Sequence, residues 1–334
     1  MTAQVFTPPT LDEAGAFYFI QQMDRARDSV IVDFSQTKFA YPLGALMLAS
    51  AYRRFKTANN LTIKSQGIDL DIPAHGYLGH MGFFKAIGLP YGKRPGESMG
   101  SETYVPLTVL DINDLEIAHK SKLLEKYSEP PIGSLVDAES MNLAKLVTQD
   151  LRPRINRPIA YCFREIIRNV FEHSGERKCA FYAQRWNTGF IEVAIADRGK
   201  GIHESLQSKH HVASHRHALM TAMLPGVSAG DSSPEGQWAN SGFGLFVLSE
   251  VGKRLGSFSL CSGNTSARAS DGSISYVEYS SSFCGTAVGL KIKQLSPTKF
   301  RQLLDNIIKR GEEMVRDRGE LTRASKSTRI DKED

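Results

Sequence analysis

The sequence predicts an α/β protein with a small N-terminal α/β domain at residues 1–98 and a second α/β domain at residues 139–295. Three observations carry this prediction. The chain has 334 residues, which is a typical length for about two domains. Short β-branched runs alternate with segments of helical periodicity. The stretch PYGKRPGESMG at 90–100 is rich in turn-forming residues and separates the two series of elements.

The N-terminal elements follow from local patterns. Thr10 and Glu13 have capping-box spacing and precede an apolar-periodic stretch that runs to Arg27, so the chain is expected to begin with a helix. The later segments read in order as strand, helix, strand and helix: SVIVDF at 29–34, LGALMLASAYRRFKT at 43–57, LTIKSQG at 61–67 and AHGYLGHMGFFKAIG at 74–88.

Residues 99–138 read as a connector, because they hold one extended stretch, TYVPLTVLDI, and a Pro-Pro pair at 130–131. The second domain is then predicted from further alternation of helices and strands. Its elements are helices at about 139–151 and 158–173, strands KCAFYAQRW and FIEVAIA, a long polar loop, a helix from near Phe243, a strand SFSLCSG, a hairpin at Asp271-Gly272 and a closing strand GTAVGLKI. Residues 296–334 add one more helix and a polar end, RASKSTRIDKED, that is expected to be disordered.

Composition excludes several classes of function. Hydrophobic residues make up 41% and charged residues 23% of the chain, and no apolar run is long enough for a membrane span. The N-terminus carries no secretion signal, and the four scattered cysteines form no CxxC pair, so a cytoplasmic location is expected. The net charge of +5 is spread thinly, without a dense Lys/Arg block, so neither a membrane nor a nucleic acid is an expected partner.

One helix of the second domain carries an unusual polar face. In REIIRNVFEHSG (164–175), Glu165, Asn169 and His173 follow one another at four-residue steps, opposite an apolar face. Asn is a poor residue for a helix interior. An Asn amide oxygen is, however, a suitable ligand for Mg²⁺, and a Glu one turn away can act as a general base. For His173, a packing role and a site role are equally supported.

Three further motifs follow in order. ADRGKG places Asp197 at a strand end with Gly199 and Gly201 beyond it. SGFGLFVLSEV opens a helix with two glycines, whose free backbone N–H groups can hold phosphate oxygens. CGTAVGL brings Gly285 and Thr286 into the last strand.

In this order and spacing, the four motifs resemble the N, G1, G2 and G3 boxes of the GHKL ATPases, which include gyrase B, the histidine kinases, MutL and the anti-sigma-factor serine kinases. The resemblance covers residues 139–294 and implies a Bergerat-type α/β sandwich that holds ATP and Mg²⁺ between a helical layer and a long lid. It also implies a role for each matching residue: Asn169 binds Mg²⁺, Glu165 is the catalytic general base, Asp197 accepts a hydrogen bond from the adenine amino group, Gly199 and Gly201 line the base pocket, Gly242, Gly244 and Leu245 meet the phosphates, and Thr286 supports the adenine side.

Other patterns in this domain are assigned to the surface or the lid. Arg164 and Arg168 are expected to form surface ion pairs. GVSAG at 226–230 matches a GxSxG nucleophile elbow but lacks the flanking strand and helix, so Ser228 is expected to be a lid residue. HESLQSKHHVASHRH (203–217) holds five histidines without a complementary Cys or acidic set, which disfavours a zinc site. Lys209 or Arg216 in this stretch can supply a cation to the γ-phosphate.

The N-terminal domain has a resemblance of its own. VIVDFSQTKFAYPLGALMLASAYRRF is similar to the STAS domains of anti-anti-sigma factors. Tyr41, Pro42 and Leu43 stand where those regulators carry Asp-Ser-Ser, so the phosphoacceptor serine is missing. The alternatives are a STAS-like domain that docks a protein partner and a generic α/β accessory domain.

Three hypotheses of function remain, all in bacterial-type signalling or regulation. The chain is an ATPase whose lid and partner docking respond to nucleotide, a serine/threonine kinase acting on a separate STAS protein, or a module that binds ATP without catalysis. Retention of Glu165 argues against the third. A histidine autokinase is disfavoured, because only His119, in the connector, precedes the ATP-binding region as a candidate phosphoacceptor. The sequence leaves open whether the chain forms a homodimer.

Overall fold

A computed structural model describes residues 2–58, 61–95, 97, 104–111, 113, 136–138, 140–141, 143–145, 153–228, 242–293 and 295–319. These residues form a mixed α/β structure that contains, within the described ranges, one five-stranded, one three-stranded and one two-stranded sheet. The predicted helix at 139–151 is described only in pieces, and the pieces 140–141 and 143–145 are helical. The polar end of the chain lies outside the described residues. Each helix that is described is too short or too polar to cross a lipid bilayer.

The N-terminal region begins with a strand, so the prediction that the chain opens with a helix is wrong. Strand β1 (Thr2–Phe6) pairs in parallel with β3 (Ser29–Asp33), which pairs in parallel with β5 (Thr62–Gln66). Strands β2 (Thr10–Leu11) and β4 (Phe39–Ala40) form a separate parallel pair. The short segment TAQVF buries only Val5, so it carries little of the alternating apolar pattern typical of a strand. It becomes a strand by pairing with residues far along the chain, which the local sequence does not indicate.

Two helices pack beside these strands, α1 (Glu13–Arg25) and α2 (Pro42–Ala58). The predicted helix at 74–88 is interrupted, and forms α3 (Pro73–His80) and α4 (Phe83–Ala86). Gly82 separates them with a φ of 87°, a left-handed conformation that glycine adopts without strain.

The second region is built on an antiparallel sheet with the strand order β6-β7-β8-β10-β9. The bounds of its strands are β6 (Tyr104–Asp111), β7 (Lys178–Arg185), β8 (Phe190–Ala196), β9 (Gly256–Ser270) and β10 (Ser273–Lys293). Strand β6 lies within the predicted connector, yet it forms the edge of this sheet by pairing with β7. The predicted hairpin is confirmed, because β9 and β10 meet at Asp271 and Gly272, with φ angles of 48° and 79°.

One face of this sheet is covered by helices of the second region. They are α5 (Pro153–His173), α6 (Gly201–Gln207), α7 (His215–Ala222) and α8 (Gly244–Leu255), and α9 (Pro297–Asp317) packs against α5 and α8. The apolar residues of α5 and of the strands form one continuous core. The helices therefore bury their apolar stripes against the sheet, as the 3.6-residue periodicity predicts.

The other face of the same sheet is covered by α1 and α2 of the N-terminal region. Leu43 packs against the backbone of Gly289, where an added Cβ would lie 2.9 Å from Leu43 Cδ2. The rings of Phe17 and Tyr279 stack with centroids 3.9 Å apart. Buried strand residues such as Ala194 and Cys261 belong to the N-terminal core. The sheet is thus a layer shared by the two regions, with helices on both faces.

Candidate functional site

Helix α5 holds Asn169 at the edge of the core. Phe163, Ile166, Ile167 and Val170 are all buried on the apolar face, as their spacing predicts. Asn169 is half-buried, and its amide Nδ2 is shielded from solvent without a hydrogen-bond partner among the described residues. A buried amide without a partner is costly, so this side chain is a candidate to contact a ligand.

Asp197 directly follows strand β8 and is 2% exposed. Its Oδ1 accepts hydrogen bonds from the backbone N–H of Gly199 at 2.7 Å and from that of Thr286 at 3.3 Å. Burial raises the pKa of the Asp197 carboxyl to about 6, although the two backbone N–H groups oppose this shift and the charge of Glu176 adds to it. Near neutral pH the group is an ionised, buried hydrogen-bond acceptor.

Glycines allow the backbone segments around Asp197 to approach closely. A Cβ on Gly199 would lie 2.2 Å from the Ser174 carbonyl oxygen, and one on Gly285 would lie 2.3 Å from that of Asp197. Gly201, with a φ of 76°, lies against Ser262 and opens helix α6. These glycines fix the turns that position Asp197 and Thr286.

The second pair of glycines places the start of α8 beside α5. Gly242 accepts a hydrogen bond from the N–H of Gly226 at 3.1 Å. A Cβ on Gly244 would lie 2.6 Å from Oε2 of Glu165. The residue before the helix, Phe243, provides no side-chain cap. Backbone N–H groups at the start of α8 therefore remain suited to an anionic ligand.

These segments enclose one cavity of about 740 Å³, its open mouth included. Six of the nine predicted site residues lie in its wall: Asn169, Asp197, Gly242, Gly244, Leu245 and Thr286. Apolar side chains make up most of the remainder, from α5, β8, α6 and β10: Ile166, Val170, Ile195, Ile202, Leu206 and Val288. A mainly apolar cavity with a few polar groups is typical of a site for a small organic ligand.

Three predicted residues lie beside the cavity and not in its wall. Gly199 and Gly201 support the turn behind Asp197. Glu165 is 5% exposed, and its Oε1 lies 3.1 Å from Arg164 Nη2 and 3.8 Å from Arg168 Nη1. The expected ion pairs of the two arginines are present, but their predicted surface location is wrong for Arg168, which is 7% exposed.

The histidine-rich segment extends over two helices, α6 and α7. His215 begins α7, so it does not share a helix with His211. The rings of His203 and His215 lie 4.9 Å apart, and burial, followed by the charge of His203, lowers the pKa of His215. Arg216 lies 3.7 Å from Glu278 on the β9–β10 hairpin.

Ser228 of the GVSAG motif lies in the cavity wall, as a lid residue would. Its carbonyl oxygen is 3.2 Å from Nε2 of His210. Residues 229 and 230 of the motif, the side chain of His173 and residue His119 lie outside the described part of the chain.

The apolar wall is what sequence reasoning missed. Ile202 and Leu206 follow Gly201 on α6, in a segment predicted to be a polar loop. Their four-residue spacing is typical of one helix face and could have predicted this helix, but seven residues are too few for a clear helical periodicity. No protein-family model, curated protein or solved structure matches this chain.

Proposed function

We propose that this cavity binds ATP with Mg²⁺ and that the chain is a GHKL-type nucleotide enzyme with a Bergerat-type sandwich, preceded by a STAS-like domain. The observation that carries the proposal is the convergence of four sequence motifs on one cavity. Asn169, Asp197, Gly244 and Thr286 come from different elements, yet they line the same space.

The base end of the cavity lies at Asp197. Both hydrogen bonds that the structure gives its carboxylate go to Oδ1, so Oδ2 is left to accept a bond from an exocyclic amino group. Adenine presents an amino group at this edge, whereas guanine presents a carbonyl oxygen. Apolar neighbours such as Ile195 and Val288 suit a flat ring. This arrangement favours ATP over GTP.

The phosphate end lies between Asn169 and the start of α8. The residues present fit a magnesium nucleotide, because Asn169 lines the cavity and its unpartnered Nδ2, a hydrogen-bond donor, suits a phosphate oxygen while its side-chain oxygen suits the metal. Its oxygen would be the protein ligand of Mg²⁺, and the N–H groups near Gly244 would hold phosphate oxygens. When bound, the metal would neutralise charge on the phosphates.

Glu165 is the proposed general base, and it lies behind the cavity wall, against Gly244. Its Oε1 is held by Arg164 and Arg168, while Oε2 lies against Gly244, a residue of the cavity wall. A carboxylate fixed through one oxygen keeps the other for proton transfer from water or from a hydroxyl group. The same residue thus serves hydrolysis and phosphoryl transfer to a protein.

The N-terminal region would serve as the docking domain for a protein partner. Its strand β1 precedes α1, as a STAS-like arrangement requires. Leu43, in the stretch that replaces the phosphoacceptor, is buried against Gly289 of the central sheet. This position favours a fixed structural link to the nucleotide domain over a phosphorylation switch.

A second candidate is an ATP-binding module without turnover, acting as a sensor. The observation in its favour is that Glu165 is buried in ion pairs and does not reach the cavity wall. A base held outside the site has no access to a reacting water molecule.

The test is to follow γ-labelled ATP with Mg²⁺ on the wild type and on Glu165→Ala, with Glu313→Ala, an exposed change on α9, as the matched control. Release of labelled phosphate that only Glu165→Ala loses indicates an ATPase. Label transferred to protein indicates a kinase. Binding without turnover in the wild type favours the sensor, and the absence of ATP binding refutes the proposal.

A further inference from the structure

A second cavity lies between the N-terminal helices and the far side of the nucleotide-binding segments. It encloses about 700 Å³, its open mouth included. Polar residues of its lining come from α2, from two loops of the second region and from strand β10: Ser50, Arg54, Thr57, Glu176, Arg198 and Cys284. None of these residues has a role in the proposed nucleotide chemistry.

The two cavities share a wall made of three short chain segments. Ser174 lines the first cavity and Glu176 lines the second. Likewise, Asp197 and Thr286 line the first cavity, and Arg198 and Cys284 line the second. Each segment therefore presents one residue to each cavity.

Hydrogen bonds tie these segments to one another. Asp197 N donates to the Thr286 carbonyl oxygen at 2.9 Å, and Thr286 N donates to Asp197 Oδ1 at 3.3 Å. Lys200 N donates to the Ser174 carbonyl oxygen at 3.0 Å, and Glu176 N donates to Ser174 Oγ at 2.9 Å. A shift of one segment is therefore transmitted to the others through short, direct contacts.

The guanidinium of Arg198 is the group of the second cavity that is suited to an anion. Arg198 is exposed, and within the described ranges its guanidinium has no assigned hydrogen-bond or ion-pair partner. Arg54 contacts Asp24 at 3.1 Å and donates to the Ser282 carbonyl oxygen at 3.4 Å, which fixes its position. Glu176 is the opposing carboxylate in the lining. Guanidinium groups are suited to phosphate and carboxylate, and the hydroxyls of Ser50 and Thr57 add hydrogen-bonding capacity.

We propose that this second cavity is a binding site for a small anionic ligand that carries a phosphate or carboxylate group, and that its occupancy changes the affinity of the neighbouring cavity for nucleotide. The anionic group lies between Arg198 and Arg54. The coupling rests on the proposed nucleotide function, whereas the anion site itself does not. Because coupling between two sites is reciprocal, nucleotide changes the affinity for the anion by the same factor.

The anion site is tested through Cys284, an exposed thiol in the lining. The rates of its alkylation by iodoacetate and by iodoacetamide are measured by peptide mass spectrometry, with inorganic phosphate and citrate as probe ligands against sodium chloride of equal ionic strength. Protection by phosphate identifies a phosphate site, and protection by citrate alone identifies a carboxylate site. The iodoacetate-to-iodoacetamide ratio is expected to fall roughly fivefold in Arg198→Gln.

Arg53→Gln is the matched control, because Arg53 is exposed on the same helix as Arg54 but does not line the cavity. This variant is expected to keep the wild-type ratio. Equal rates with and without both probes, together with a ratio unchanged by Arg198→Gln, overturn the anion site. Should Cys284 react with neither reagent, calorimetric titration of citrate into wild type and Arg198→Gln decides the question.

The coupling is tested by measuring the affinity for ATP with Mg²⁺ at saturating probe and without it. A change of at least about fivefold that Arg198→Gln removes supports the coupling. An unchanged affinity overturns the coupling and leaves the anion site standing. If ATP does not bind at all, the proposed function fails, and the alkylation result still reports on the anion site.

Discussion

Asp197, directly after strand β8, and Thr286 of β10 are hydrogen-bonded in both directions. The backbone N–H of Asp197 donates to the carbonyl oxygen of Thr286 at 2.9 Å, and the N–H of Thr286 donates to Oδ1 of Asp197 at 3.3 Å. This pair lies in the wall of the cavity, at its proposed base end, and uses one carboxylate oxygen. The remaining oxygen is the group on which the proposed adenine selectivity depends.

Replacing Asp197 with Asn is expected to weaken ATP binding by tenfold or more, because an amide is a weaker acceptor than a carboxylate.

The same change is also expected to remove the cost of burying an ionised carboxylate. Burial raises the pKa of Asp197 from 3.8 to about 6, so the contribution of this group to the stability of the wild-type protein is greatest below pH 3.8, where the carboxyl is protonated in both the folded and the unfolded states. That contribution to the free energy of unfolding then falls as the pH rises to about 6, and at pH 8 the loss is roughly 3 kcal/mol.

The measurement is chemical denaturation of wild type and Asp197→Asn at pH 4 and at pH 8, beside an ATP titration. The free energy of unfolding of Asp197→Asn, relative to that of the wild type, should be higher at pH 8 than at pH 4. A variant that loses relative stability as the pH rises would show that the Asp197 carboxyl is not penalised by burial.

The pH dependence of ATP binding follows from the same group. Below about pH 6 the Asp197 carboxyl is protonated and no longer presents two acceptor oxygens, so wild-type affinity is expected to fall toward pH 5. The phosphates of ATP titrate in this range as well. The difference between the affinity profiles of wild type and Asp197→Asn isolates the protein group, and parallel profiles would contradict the assignment.

Asn169→Ala is expected to remove the Mg²⁺-dependent part of nucleotide binding, a loss of about 10- to 100-fold. Asn169→Asp keeps a side-chain oxygen for the metal and should retain part of that dependence. The measurement is calorimetric titration with ATP, with and without Mg²⁺. The control is Asn187→Ala, in the exposed β7–β8 turn. Equal affinity of the wild type and Asn169→Ala in Mg²⁺ would exclude Asn169 as the metal ligand.

Gly244→Ala is expected to displace Glu165, because the new Cβ would lie 2.6 Å from Oε2 and 3.2 Å from Cβ of that residue. Such overpacking costs about 1–3 kcal/mol, and turnover should fall with it. Truncating Glu165 to Ala removes the Oε2 contact, so Gly244→Ala should cost less in that background. A double-mutant cycle by denaturation measures the coupling, and strict additivity would show that the two side chains do not meet.

Six of the nine residues that the sequence singled out line one cavity, whereas several features of the architecture were not predicted. Motif residues such as Asp197 and Gly244 carry local signals, because a strand end or a helix start is encoded within a few residues. The hairpin at Asp271-Gly272 is a signal of the same kind. The position of Glu165 was not predicted, because this residue is buried in an ion pair with Arg168. Helical spacing identifies a polar face but does not indicate whether that face packs against another helix.

The missed features depend on contacts between residues far apart in the chain. Strand β6 reads as part of a connector because nothing in TYVPLTVLDI specifies pairing with β7. The packing of Leu43 against Gly289 is equally remote in sequence. Strand register and layer order are set by tertiary packing, which local propensity does not report.

The most direct test of the account is a hydrogen–deuterium exchange footprint of ATP with Mg²⁺ on the wild-type protein. Binding in the described cavity should slow exchange in the segments 166–174, 195–202, 242–248 and 286–288, and leave strand β5 unchanged. Protection confined to other segments, or no protection at saturating ATP, would contradict the claim that this cavity is a nucleotide site.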